Sequence, residues 1–206
     1  MQELLIVAGI HLLAVMSPGP DFVMMLRSSL MYSRRTAIWS AVGLGGGIAL
    51  HVTYCLLGIG LLISKSILLF TIIKYLGAAY LIYIGIKSLQ SKRATKTDAL
   101  HIKKQEDISK WQALKLGFLT NALNPKATLF FLALFTQVIS TSTPVIWKMA
   151  YGLEMVLATI AWFSLVAVFM TQNPIRKAFI GVKHHIERAF GVILVAFGVK
   201  VALSAR

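Results

Sequence analysis

Six apolar runs occupy most of this sequence; five are long enough to cross a lipid bilayer, and the sixth is short. They lie at residues 4–26, 37–63, 67–89, 113–139, 146–170 and 189–204. A transmembrane helix needs about 20 mostly apolar residues, with a range of about 17–25. Because a soluble domain of this size cannot cover six such runs, the sequence predicts an all-α integral membrane protein with six transmembrane helices.

The composition agrees with a membrane location. Hydrophobic residues make up 57% of the 206 residues and charged residues 14%, whereas soluble domains have about 25% charged residues. We expect a single membrane domain, 1–206, made of a first repeat at 1–89, a cytoplasmic linker at 90–112 and a second repeat at 113–206. The first run follows Glu3 instead of a basic segment, so we expect a span and not a cleavable signal peptide.

Basic residues are distributed unevenly among the connections between the spans. The second and fourth connections carry only Lys65 and Lys148. The first, third and fifth connections carry Arg27, Arg34, Arg35, Lys87, Lys92, Arg93, Lys96, Lys103, Lys104, Lys110, Lys115, Arg176, Lys177, Lys183 and Arg188. Because cytoplasmic loops are enriched in Lys and Arg, we expect these three connections in the cytoplasm and both termini outside. The net charge of +14 therefore indicates topology and contact with membrane lipids, and we expect no nucleic-acid partner.

Proline interrupts the first and fourth runs at matching positions. The two breaks are Ser17-Pro18-Gly19-Pro20-Asp21 and Asn124-Pro125-Lys126. Proline removes a backbone N–H and clashes with the preceding turn, and in hydrocarbon the freed groups need a partner in the protein or in a water-filled cavity. One such break is often only a kink, because Pro and Gly are common in membrane helices. Two breaks in corresponding halves are typical of the substrate site of a transporter.

Short sequence similarities relate the two halves. Ala41-Val42-Gly43-Leu44 resembles Ala150-Tyr151-Gly152-Leu153, and Gly77 and Gly85 resemble Gly191 and Gly198. Because each half contains three spans, the second half must enter the membrane from the opposite side. We therefore expect two inverted three-helix repeats, with helices 1 and 4 broken near the bilayer midplane.

In this arrangement, the N-terminal ends of the two restarted half-helices would meet. Asn124 suits the N-cap position and Pro125 the first helical position. A helix N-terminus offers unpaired N–H groups and about half a positive charge, which favours a carboxylate. Asp21, next to the other break, could bind an ammonium group. An α-amino acid carries both groups.

Four ionisable residues lie inside the spans, namely Asp21, Lys74, Lys126 and Glu154. Each costs about 2.5–3.5 kcal/mol at a helix centre, so we expect partners or water around them. Asp21 and Lys126 form the most economical pair. Glu154 is expected either to pair with Lys74 or to carry a proton, and the sequence favours neither role.

Several other polar residues are interpreted first as structural. Asn121 precedes the second break by one turn and is expected to satisfy freed backbone groups, with substrate contact as the alternative. We expect His51 to pack and hydrogen-bond rather than relay protons, and His11 to be lodged in the helix bundle. The glycines Gly43, Gly45, Gly46 and Gly47 are expected to allow close helix packing.

Several stretches of the sequence resemble the LysE/RhtB family of amino-acid exporters, most closely its threonine-efflux branch. They are His11–Phe22 (HLLAVMSPGPDF), Tyr75–Gly85 (YLGAAYLIYIG), Gly117–Phe131 (GFLTNALNPKATLFF) and Ala161–Phe163. The resemblance implies a multi-pass protein of the bacterial inner membrane that exports an amino acid by antiport with protons. Members export threonine, homoserine, leucine, cysteine or basic amino acids, and Asp21 after SPGP resembles the threonine branch.

Two other classes of function fit the sequence less well. An intramembrane enzyme is disfavoured, because the sequence has no GxSxG, no HExxH and no cysteine pair. We therefore expect no catalytic residue, metal or cofactor. A channel or a structural membrane subunit would not require paired breaks with charges of opposite sign. A homo-oligomer is compatible with the sequence.

Overall fold

The computed structural model describes residues 2–17, 19–65, 67–90, 105–137, 139–140, 142–170 and 172, with short helical pieces at 184–185, 188–189, 191–196, 198–200 and 202–203. Within these ranges every regular element is a helix. The helices are α1 (Gln2–Met16), α2 (Pro20–Met31), α3 (Arg34–Lys65), α4 (Ile67–Leu89), α5 (Lys110–Ala122), α6 (Pro125–Gln137) and α7 (Val145–Met170). The all-α prediction is confirmed.

Two of the predicted spans are bent pairs of helices. The axes of α1 and α2 differ by 56°, and those of α5 and α6 by 59°. Among the described residues, α3 and α7 are each long and apolar enough to cross a membrane, and counting each bent pair as one span gives up to four candidates. The apolar helix at Gly191–Lys200 is shorter than a span. The six-span inverted repeat therefore stays a prediction.

Local sequence explains both bends. Gly19 is the N-cap of α2 and Pro20 its first residue, and no side chain caps this end. At the other break, the Asn124 side-chain oxygen accepts a hydrogen bond from the backbone N–H of Lys126 at 3.0 Å. Asn124 thus caps α6, as predicted, and Pro125 stands where its missing N–H costs nothing.

Glycines bring α3 and α5 into backbone contact. A Cβ on Gly43 would collide with the carbonyl oxygen of Leu114, and one on Gly117 with that of Ser40. Gly45, which also lies on α3, faces the side chain of Ile160 of α7. The glycine cluster therefore packs helices closely, as small residues do in membranes.

The helical pieces at 191–196 and 198–200 pack antiparallel to α4. A Cβ on Gly85 would lie 2.9 Å from the carbonyl oxygen of Gly191, and one on Gly198 would lie 2.9 Å from that of Ala78. As the numbering rises along α4, it falls along the facing helix. Two of the glycines that suggested the repeat therefore meet each other directly.

The end of the linker is attached to the turn between α2 and α3. The backbone N–H of Gln105 donates to the carbonyl oxygen of Met31 at 2.8 Å, and that of Ser33 donates to the Asp107 carboxylate at 2.7 Å. Hydrogen bonds from the Ser33 side chain and backbone hold the pKa of Asp107 below its usual range. This part of the predicted solvated linker is therefore docked, and residues 91–104 lie outside the described residues.

Candidate functional site

The two breaks face one small cavity. It has a volume of about 40 Å³, room for about three water molecules at about 10–15 Å³ each. Its walls are formed by His11, Ala14, Val15, Ser17, Gly19, Asp21, Ile48, Asn121, Asn124, Lys126, Ala127, Phe130 and Phe131. Residues before and after both breaks, 100 positions apart in the chain, therefore share one site.

The Asp21 carboxylate is held by two amides from the second break. The side-chain amide of Asn121 donates to Oδ2 at 2.8 Å, and that of Asn124 donates to Oδ1 at 3.1 Å. Hydrogen bonds to an ionised carboxylate are stronger than neutral ones. Asn121 was expected to satisfy backbone groups, but its amide instead binds the acidic residue of the other half-helix.

Lys126 reaches across to the first break. Its Nζ donates to the carbonyl oxygen of Ser17 at 3.1 Å and to the Ser17 hydroxyl at 2.9 Å. A Cβ on Gly19 would lie 3.2 Å from this Nζ, so glycine at the N-cap leaves space for the ammonium group. The predicted pair, Asp21 and Lys126, lines a single cavity.

The contacts between the breaks are reciprocal. Asn124 caps α6 and also binds Asp21 in the first turn of α2, while Lys126 in the first turn of α6 binds Ser17 just before α2. The N-terminal ends of both half-helices, each with a partial positive charge, therefore lie at the cavity together with one carboxylate and one ammonium group. Such a site has groups for both charges of a zwitterion.

The remaining predicted site residues are not among those that line the cavity, or lie outside the described residues. Pro20 and Pro125 are exposed first residues of their helices and are not among its lining residues. Pro18 lies outside the described residues. Glu154 is half-buried on α7, and its Oε2 has no hydrogen-bond partner in the described part of the chain. The Lys74 side chain also lies outside the described residues, and so does the predicted bridge to Glu154.

His11 is a site residue that sequence reasoning interpreted only as packing. Its side chain is 1% exposed and forms part of the cavity wall. Its Nε2 lies 3.4 Å from the Thr159 hydroxyl, and no described group is a hydrogen-bond partner of its Nδ1. The available signal was a titratable side chain in the same apolar run as a break, six residues before Ser17.

His51 does not line the cavity but contacts Asn121, which does. Its Nε2 lies 3.0 Å from the carbonyl oxygen of Asn121 and its Nδ1 lies 2.6 Å from the Tyr54 hydroxyl. The imidazole also stacks on the Phe131 ring, with 5.5 Å between centroids. Both ring nitrogens have partners, which agrees with the expected packing role and positions Asn121 next to Asp21.

Comparison with known proteins identifies the family of this chain. The family described as LysE type translocator matches residues 12–205. The chain belongs to the LysE type translocator family. Together with the apolar helices, membership makes this chain a multi-pass membrane transporter. No solved structure matches it.

Two similar proteins extend over nearly the whole chain and a third over part of it. The uncharacterized membrane protein YrhP of Bacillus subtilis is 29% identical and covers 99% of this chain and 100% of its own. The threonine efflux protein of Escherichia coli K12 is 27% identical over 97% of each chain. The homoserine/homoserine lactone efflux protein of Salmonella typhimurium is 36% identical over 129 residues, which make up 63% of this chain and 61% of its own.

Proposed function

We propose that this protein is a secondary active exporter of a small amino acid of the threonine or homoserine type, in a bacterial inner membrane. The observation that carries the proposal is the cavity between the two half-helix starts, with Asp21 and Lys126 in its walls. Family membership and the efflux relatives support export of an amino acid. Leucine, cysteine and basic amino acids are the alternative substrates.

The site chemistry fits the backbone of an α-amino acid. Asp21 offers a carboxylate to the substrate ammonium group, and the side-chain amide of Asn121 holds that carboxylate at the cavity. Lys126 and the two helix N-termini offer positive charge to the substrate carboxylate. The small volume of the cavity favours a short side chain.

Alternating access would follow from an inverted repeat. The half-helix starts share one cavity, and α4 packs antiparallel to the helical pieces at 191–196 and 198–200. Two inverted three-helix units would produce both features. In such transporters, helices around a fixed site rock or gate so that the site opens to each side of the membrane in turn.

Protons are the proposed coupling ion. The sequence has no GxxxxGK[ST] segment for ATP, so export would draw on an ion gradient. A carboxylate inside the membrane is the natural proton carrier, with Asp21 the first candidate and Glu154 the second. Export that survives full uncoupling, at unchanged substrate gradient and ATP level, would contradict proton coupling.

Counterflow in proteoliposomes tests the transport function directly. Vesicles are loaded with one unlabelled amino acid and placed in a trace amount of the same amino acid in labelled form. Threonine, homoserine, leucine, cysteine and lysine are each tested in this way. A carrier accumulates label transiently above equilibrium, whereas a channel only equilibrates it. We expect accumulation of threonine or homoserine by the wild type and none by empty vesicles. Equilibration without overshoot would favour the channel alternative.

A further inference from the structure

One polar atom in the cavity wall has no role in the contacts described so far. His11 is buried, and its Nδ1 has no hydrogen-bond partner among the described residues. Its Nε2 faces the Thr159 hydroxyl at 3.4 Å, which leaves Nδ1 as the nitrogen available to a ligand. Buried polar atoms are nearly always paired, so an orphan in a cavity wall indicates a group that arrives with the ligand.

His11 stands in the apolar part of the cavity. Its ring centroid lies 6.3 Å from that of Phe130 and 6.0 Å from that of Phe131. Ala14, Val15 and Ile48 also line the cavity. The other polar lining residues all belong to the two breaks or, like Asn121, contact Asp21. His11 is therefore the polar group that a substrate side chain would meet.

The spacing suits a short hydroxyl side chain. His11 precedes Ser17 by six residues, which places it less than two helical turns before the first break, and it lines the same cavity as Asp21 and Lys126. An amino acid whose hydroxyl lies one or two carbons beyond Cα is a short ligand of the kind that can contact both parts of so small a cavity. Its charged groups would then lie at Asp21 and Lys126 while its hydroxyl reaches His11.

We infer that His11 is the specificity-determining residue of the site and that its Nδ1 hydrogen-bonds the hydroxyl of a hydroxy amino acid. Thr159 acts through His11 as a positioning residue, because its hydroxyl occupies Nε2 and thereby fixes the ring. A methyl group in place of the substrate hydroxyl leaves the buried nitrogen unpaired, which disfavours apolar substrates of the same shape. This inference rests on the proposed function.

Threonine and valine provide the matched substrates, since they differ by a hydroxyl in place of a methyl group. The initial rates of both are measured in proteoliposomes for the wild type, His11→Phe and His11→Gln. We expect the wild type to prefer threonine. The Phe variant should lose about tenfold of that preference, because this is the effect of about one hydrogen bond. The Gln variant should retain part of the preference. His185→Phe is the control, because it makes the same substitution at an exposed histidine that does not line the cavity; it should leave the ratio of threonine to valine unchanged.

The outcomes separate the inference from the proposed function. A wild type that transports amino acids but treats threonine and valine alike overturns the role of His11 and leaves the function standing. An unchanged ratio in His11→Phe, or an equal change in His185→Phe, also overturns it. If the wild type transports no amino acid, the proposed function itself fails. Should His11→Phe not insert, the ratio in His11→Gln and competition between the two substrates in the wild type decide the question.

Discussion

The side-chain amide of Asn124, the cap of α6, donates to the carboxylate of Asp21, in the first turn of α2, at 3.1 Å. With the amide of Asn121 on the other oxygen, this carboxylate has one donor from α5 and one from the break that follows α5. Residues of each break therefore hydrogen-bond residues of the other. A substitution at one break is expected to affect the structure of both.

Asp21→Asn tests the charge at the centre of the site. The variant keeps the size but loses the charge that would hold an ammonium group or a proton, and one amide oxygen must replace two carboxylate oxygens. We expect export of the preferred amino acid to fall at least tenfold, because each hydrogen bond to a charged group contributes about 1.5–3 kcal/mol, while the protein still inserts. Rates are normalised to the amount of protein in the membrane fraction.

Glu106→Gln is the control for this change, since Glu106 is an exposed carboxylate in the linker. It should export at the wild-type rate. Normal export by Asp21→Asn would show that the first break is only a structural kink.

Lys126→Met tests the ties between the half-helices. The variant loses the hydrogen bonds from Nζ to the carbonyl oxygen and hydroxyl of Ser17. We expect both impaired export and a lower unfolding temperature in detergent, whereas Lys115→Met, at an exposed position on α5, should change neither.

The double variant Asp21→Asn/Lys126→Met separates two roles of the charges. If the two charges chiefly compensate each other, the double variant should insert better than either single variant, because an uncompensated buried charge is the costly state. If each charge serves the substrate, the double variant should be no better than the worse single one. Membrane-fraction abundance and unfolding temperature are the measurements.

Gly43→Ala tests the contact between α3 and α5. Because a Cβ there collides with the Leu114 carbonyl oxygen, the helices must separate, at a cost of about 1–3 kcal/mol. Gly58→Ala, on the same helix with nothing within 4 Å of its Cβ position, should be neutral or slightly stabilising, since Ala is the better helix former. Equal unfolding temperatures for both variants would contradict the close packing.

Reporter fusions test the predicted topology. Fusions after Lys96 and Lys177 should report the cytoplasm, and fusions at Ser142 and Arg206 the outside, because the basic residues concentrate in the odd connections. A cytoplasmic C-terminus together with an external Ser142 would remove the sixth span and, with it, the inverted repeat.

The sequence predicted the parts of the fold that depend on local chemistry. The predicted run 67–89 matches α4, and both breaks lie where proline and its cap residues stand. Hydropathy placed the start of α3 at residue 37 rather than Arg34, because the polar first turn, preceded by Ser33, extends the helix beyond its apolar part. A search for apolar runs does not detect helix ends that consist of polar residues.

The site was predicted less completely, for a physical reason. Asp21 and Lys126 were found because charges are rare inside apolar runs. The partner of Asn121 and the exposure of His11 to the cavity depend on helices distant in sequence, and no pattern along one helix reveals them. The structure was needed to separate a histidine that lines the cavity from one, His51, that packs behind it.

The close contact between α3 and α5 has a consequence for motion. Where a glycine brings a helix against the backbone of its neighbour, as Gly43 and Gly117 do, no flexible side chain is available to absorb a small displacement. The two helices must then shift together or stay fixed, so we expect them to serve as a rigid frame. Opening of the cavity would be confined to the joints at Gly19 and Asn124, with α2 and α6 as the moving arms.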